Sequence, residues 1–187
     1  IELMGVAERD VRRLLRRVAV FVVVIEVVTF LLLMPWFLTK LDLGPALWHS
    51  FFHALSASNN AGFDLMGGGR GFSDQVGEPY PIVVMGIAAF LGSLSFITVF
   101  NLRRRPRMWT LDTRLVVISM VSLQLIGMAV FAGLEVQDGR VLHGLGPIDV
   151  VANAFFLSCG RISGMATVDM SIVQDANIVV LLPLMFI

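Results

Sequence analysis

Two short polar stretches carry residue types suited to ion chemistry: Ser58-Asn59-Asn60-Ala61-Gly62-Phe63 and Gly160-Arg161-Ile162-Ser163-Gly164-Met165. A selectivity filter replaces an ion's hydration shell with backbone carbonyl oxygens. Turning successive carbonyls toward one axis requires backbone angles that a Cβ resists and glycine reaches freely. One loop glycine is weak support, because ordinary turns use glycine. Two at the same place in a repeated unit are much stronger. The expected ion-facing residues are therefore Asn60, Ala61, Gly62 and Phe63 in the first loop, and Ile162, Ser163, Gly164 and Met165 in the second. Asn59 is expected to brace the filter, and Asp64 to concentrate cations at its mouth. Arg161 lies beside the presumed ion path, where a bare positive charge would repel a permeant cation. It is therefore expected to pair with an outer acid such as Asp169.

Other reactive groups are sparse. Glu26 stands alone in an apolar stretch, where a carboxylate is costly and calls for a functional site or a buried partner. A hydrogen-bonding role is expected over direct ion binding. His49 and His53 are four residues apart, a metal-ligand spacing, but no third ligand accompanies them. His143 reads as a solvated loop residue. Cys159, the single cysteine, reads as a small buried apolar residue. No paired aspartates, His-Glu-x-x-His or Gly-x-Ser-x-Gly is present, so no enzyme chemistry is expected.

The elements that must position these loops belong in lipid. The chain is 57% hydrophobic and 15% charged, against about 25% charged in soluble domains, and its mean hydropathy is +0.84. Residues 18–38, 81–102 and 115–134 each reach the ~20 apolar residues that a spanning helix needs. Residues 46–57 and 148–159 are too short to span, and each follows a Gly-Pro pair, Gly44-Pro45 and Gly146-Pro147. Both are expected to be re-entrant helices starting at proline. The loops behind them are too polar to face lipid, and irregular backbone at membrane depth is tolerated only inside protein or beside a wet cavity.

Charge orients the chain. Ten of its fourteen basic residues lie in 1–17 and 103–114. These are read as a cytoplasmic N-terminal segment and a basic cytoplasmic linker. The short helices then enter from the outside. Formal net charge is zero, and no nucleic-acid partner is expected.

An offset of 102 superposes the two units. Leu43-Gly44-Pro45 meets Leu145-Gly146-Pro147, Leu55-Ser56 meets Leu157-Ser158, and Gly62 meets Gly164. Residues 18–102 form one complete span, pore helix, loop and span. Residues 115–187 form a second unit, expected to be truncated in its last helix. Such repeats are common in transporters.

At these residues the chain resembles the Trk/Ktr/HKT superfamily of potassium transporters. Residues 52–63 look like the family pore segment "FHA-SAF-NAGF", residues 146–169 like "SARTAGFNTVD", and residues 181–187 like the start of the helix before "GGSPGSTAGG". The resemblance implies an all-α membrane protein with four non-identical span–pore–span repeats around one pore, this chain carrying the second repeat and most of the third. It implies K⁺ uptake across the plasma (cell inner) membrane by the membrane subunit of a Trk/Ktr-type system, with no cofactor beyond the transported ion. It also implies a homodimer working with a cytoplasmic RCK-type nucleotide-binding subunit. Two departures stand out: Ile162-Ser163-Gly164-Met165 replaces Thr-Ala-Gly-Phe, and Gly92-Ser93-Leu94-Ser95-Phe96 replaces "GG-GF". The alternatives are Na⁺ transport, Na⁺- or H⁺-coupled symport with Glu26 as the coupling carboxylate, or an inactive fragment.

Overall fold

The structure is a computed structural model. It describes residues 2–66, 72, 75–103, 105–138, 142, 144–161, 163–168, 179 and 182. Among these, the ordered elements are helices: α1 (Glu2–Leu38), α2 (Leu43–Ser58), α3 (Pro79–Ser93), α4 (Phe96–Leu102), α5 (Leu111–Asp138) and α6 (Pro147–Gly160). Residues 67–71, the Gly67-Gly68-Gly69 loop among them, lie outside the described set, as do His143 and the closing apolar stretch 183–187.

Among the described residues, two helices are long and apolar enough to cross a membrane, Val11–Leu38 and Leu111–Leu134. Their outward faces are apolar: Val20, Val24 and Leu31 on α1, and Leu115, Ile118 and Leu125 on α5, are all exposed. In water this would be a defect; in hydrocarbon it is the expected surface, because the solvent is itself apolar. The chain is thus a multi-pass membrane protein.

The stretch 81–102, expected as one spanning helix, is not continuous. It is two helices bent by 103°. The break falls at Leu94 and Ser95, both extended, with ψ of 133° at each. Ser93 Oγ donates to the Phe90 carbonyl at 2.8 Å, a local bond that serves an ending helix in place of the continuing ladder.

The two short helices sit where the repeat places them. Helix α2 packs between α1 and α3, and α6 packs between α3 and α5. Each begins within a few residues of the expected position, α2 following Asp42 and α6 starting at Pro147. The main core joins Leu33 and Phe37 of α1, Ala46 and Ala57 of α2, and Met85 of α3 to Phe156 of α6. Helix α3 meets α6 closely: a Cβ on Gly86 would lie 2.8 Å from the Phe155 ring. At the far end of α1, Trp36 Nε1 donates to Glu78 Oε2 (3.0 Å), and Lys40 pairs with Glu78 Oε1 (2.7 Å). This clamps α1 to the start of α3.

Candidate functional site

The first loop is built from the C-terminal end of α2. The Asn59 N–H bonds to the Leu55 carbonyl, Asn60 to Ala57, and Ala61 to Ser56 at 2.8 Å. Asn60 then takes φ +51° and Gly62 φ +78°. Asparagine tolerates the left-handed region through its short polar side chain; glycine enters it without steric cost. The returning limb lies back on the same helix. Ser56 Oγ donates to the Phe63 carbonyl at 2.6 Å, and the Leu65 N–H bonds to His53 Nε2 at 3.3 Å. Asp64 accepts from the Met66 N–H at 3.0 Å, closing a local turn.

His53 is fully buried. Its Nδ1 lies 2.7 Å from the His49 carbonyl and must donate, so Nε2 is the acceptor that Leu65 requires. The hydrogen-bond network thus assigns the neutral Nδ1–H tautomer. The ring stacks on Phe37 at 5.3 Å and meets the edge of Phe72 at 4.9 Å. The 49/53 pair is therefore a packing and bracing element, and no metal-holding cluster occurs among the described residues.

Spans hold the loop from behind. Asn59 Nδ2 donates to Glu26 Oε1 of α1 at 2.8 Å. Asn60 Nδ2 donates to the Ala89 carbonyl of α3 at 3.2 Å. A Cβ on Gly92 would sit 1.8 Å from the Ser58 carbonyl oxygen, so α3 reaches the end of α2 only because residue 92 lacks one. The close approach is kept at Gly92 although serines follow it.

The second loop repeats the design with different parts. The Gly164 N–H bonds to the Gly160 carbonyl at 2.8 Å, and φ at Gly164 is +74°. Arg161 is buried, 5% exposed. It donates to the Ser158 carbonyl at 2.6 Å and to Gln124 Oε1 at 3.3 Å. Gln124 in turn donates to the Phe155 carbonyl at 2.9 Å, while Ser158 Oγ donates to the Gln124 carbonyl at 3.0 Å. The guanidinium is folded against α5 and α6. Its proposed partner Asp169, like Ile162, lies outside the described residues.

Asn59 and Arg161 share one register position, 102 apart. Each ties its pore helix to the span of its own repeat, Asn59 through Glu26 and Arg161 through Gln124. The register partner of Glu26 is Met128, and Gln124 stands one helical turn from it, within reach of the longer arginine side chain.

The loops also meet each other. A Cβ on Gly62 would lie 2.0 Å from the Ser163 carbonyl oxygen and 3.8 Å from the Met165 nitrogen. No described atom comes within 4 Å of the same point on Gly164. Met165 is buried in the main core, whereas Phe63, its register partner, is 68% exposed. Gly62 and Met165 are thus packed, while Phe63 and Gly164 are open among the described residues.

This geometry of two equivalent left-handed glycine turns, each behind a short membrane helix, agrees with a family assignment. The model of TrkH, described as a cation transport protein, matches residues 2–187. The chain belongs to the TrkH family. It is 31% identical over 170 residues to the potassium/sodium uptake protein NtpJ of Enterococcus hirae, covering 89% of this chain and 37% of that protein. It is 29% identical over 170 residues to the Ktr system potassium uptake protein B of Bacillus subtilis, covering 89% and 38%. It is 26% identical over 187 residues to the protein of that name in Vibrio alginolyticus, covering 95% and 40%. The chain thus spans about two-fifths of the length of the curated relatives it matches. The family is one of transport rather than catalysis.

Sequence reasoning missed four bracing residues in this TrkH-family chain: His53, Ser56, Gln124 and Ser158. A signal existed for three of them. Gln124 is a polar side chain inside an apolar span, which by itself asks for a partner. Ser56 and Ser158 coincide in the repeat, but serine on a membrane helix commonly bonds its own preceding carbonyl, as Ser58 does to Ala54 at 2.7 Å.

Proposed function

We propose that this chain supplies two adjacent loops of a backbone-carbonyl filter for K⁺, in the membrane subunit of a Trk/Ktr-type uptake system. The carrying observation is the pair of glycines one repeat apart, at φ +78° and +74°, with Gly62 closed onto the Ser163 carbonyl. The ion-facing groups are the carbonyls of Asn60, Ala61 and Gly62, and of Ser163 and Gly164; Ile162, expected among them, lies outside the described residues. The Phe63 carbonyl is held by Ser56 and serves to fix the outgoing limb; Met165 anchors the second limb in the core. The open flanks at Phe63 and Gly164 suit further repeats on either side, which close the ring.

The arginine-bearing ends of α1 and α5 face the cytoplasm, and α2 and α6 enter from outside. The intact subunit forms a homodimer and docks an RCK-type regulatory subunit on its inner face. Glu26 braces the filter through Asn59, which favours a pore without a coupling carboxylate over a symporter. Na⁺ remains a second candidate ion, because one relative is named a potassium/sodium uptake protein and the second filter carries serine and methionine. The test is growth of a K⁺-uptake-deficient bacterium on low-K⁺ medium with the full-length protein. Rescue without added Na⁺ supports the K⁺ pore; rescue only with Na⁺ present supports the coupled reading; no rescue by a protein that reaches the membrane overturns both.

A further inference from the structure

We infer that a pocket at the arginine-bearing end of α1 binds the headgroup of an anionic phospholipid. The pocket has a volume of about 380 Å³ and lies between α1 and α4. On α1 its lining is one helical stripe, residues 13, 16, 17, 20, 21 and 24, with the three- and four-residue steps that share a face. The character of that stripe changes once. Arg16 and Arg17 are followed by Val20, Phe21 and Val24, so charge gives way to hydrocarbon across a rise of about 4.5 Å. Helix α4, turned 103° from α3, supplies the facing wall with Phe100 and Arg103. The Arg103 guanidinium stands 5.9 Å from the Phe100 ring centre.

A basic floor under an apolar wall is the complement of a phospholipid, whose phosphate sits at one end and whose acyl chains leave from the other. The wall continues past the pocket into the exposed Val27, Val28 and Leu31, along which acyl chains run. The volume lies at the small end of ligand sites, roughly 300–1,000 Å³, enough for a headgroup and glycerol. An acidic protein partner would match the arginines but has no use for an apolar wall that opens onto lipid. The inference uses the placement of this end of α1 at the inner leaflet, from the proposed function; binding in detergent requires neither that orientation nor transport.

The experiment is native mass spectrometry of the purified full-length protein in detergent, with phosphatidylglycerol, cardiolipin or phosphatidylcholine added. The test variant is Arg16→Gln/Arg17→Gln/Arg103→Gln. The control, Arg105→Gln/Arg107→Gln/Arg114→Gln, removes equal charge outside the pocket. An arginine near an anionic headgroup contributes about fivefold, so the test variant loses on the order of 100-fold in anionic-lipid affinity. Phosphatidylcholine binding stays unchanged, and the control keeps its anionic lipid. Equal losses in test and control variants overturn the site. So does wild-type lipid binding by the test variant, including the case in which it loses a regulatory protein instead.

Discussion

Alanine at position 62 would bring a methyl carbon to 2.0 Å from the Ser163 carbonyl oxygen and 3.1 Å from its carbon. Carbon and oxygen approach to about 3.3 Å even in weak hydrogen bonds. The two loops must therefore separate by about 1.3 Å, whereas binding groups need placement to within ~0.5 Å. Holding an L-residue at φ +78° costs a further ~1–2 kcal/mol. The backbone cost alone corresponds to roughly 5- to 30-fold in an equilibrium. The displaced carbonyl is one of those proposed to face the ion, so selectivity falls along with flux. The assay is Rb⁺ or K⁺ uptake, with the K⁺/Na⁺ ratio, by the full-length protein at measured membrane abundance. Gly62→Ala should lose at least ~10-fold in uptake. The control is Gly133→Ala on α5, where nothing lies within 4 Å of the new methyl and helix propensity favours alanine by ~0.5–1 kcal/mol. Wild-type uptake and ratio in Gly62→Ala at normal abundance, or equal damage from Gly133→Ala, would refute the filter geometry.

Three further outcomes follow from the braces. Glu26→Gln keeps an oxygen acceptor for Asn59 and should retain most uptake, whereas Glu26→Leu removes it and should cost ~1–3 kcal/mol of stability; loss of Na⁺- or H⁺-dependence in Glu26→Gln would count against the bracing role. Arg161→Met and Gln124→Leu break one network, so their destabilisations in thermal melts should be non-additive by 0.5 kcal/mol or more, and strict additivity would separate the two residues. Glu78 is held below its ordinary value of 4.5, first by the Lys40 hydrogen bond and then by that from Trp36. A carboxylate with a lowered folded-state pKa contributes stability above the unfolded value and loses it as pH falls through the folded one. With Lys40 and Glu78 side chains 37% and 41% exposed, that contribution is below about 1 kcal/mol. Glu78→Gln should lower the melting temperature slightly at pH 7, and its gap from the wild type should close as pH falls below 4.5.

The sequence carried a great deal because lipid leaves few options. A backbone in hydrocarbon must satisfy its own hydrogen bonds, so apolar runs of the right length read directly as helices. Runs of about 12 residues after Gly-Pro read as short helices, and the structure has both, Leu43–Ser58 and Pro147–Gly160. The offset of 102 fixed which residues are equivalent, and the left-handed angles at Gly62 and Gly164 agree with it. The bend at Leu94–Ser95 was not legible, since residues 81–102 contain no charge or proline at the break. Composition cannot tell a straight span from two helices whose junction is fixed by packing on another element.

What the sequence determined by itself was local: the extents of the two short helices, the repeat, and the two turns where only glycine is comfortable. Tertiary structure decided the partners. Glu26 meets Asn59 across 33 residues, and Arg161 is held by Gln124 and the Ser158 carbonyl. Gly62 and Gly164 look alike in sequence, yet one is closed against the neighbouring loop while the other has open space among the described residues. Backbone torsion is set by a residue and its immediate neighbours. Which carbonyl a glycine must admit is set by how the helices pack, and no spacing along the chain encodes that contact.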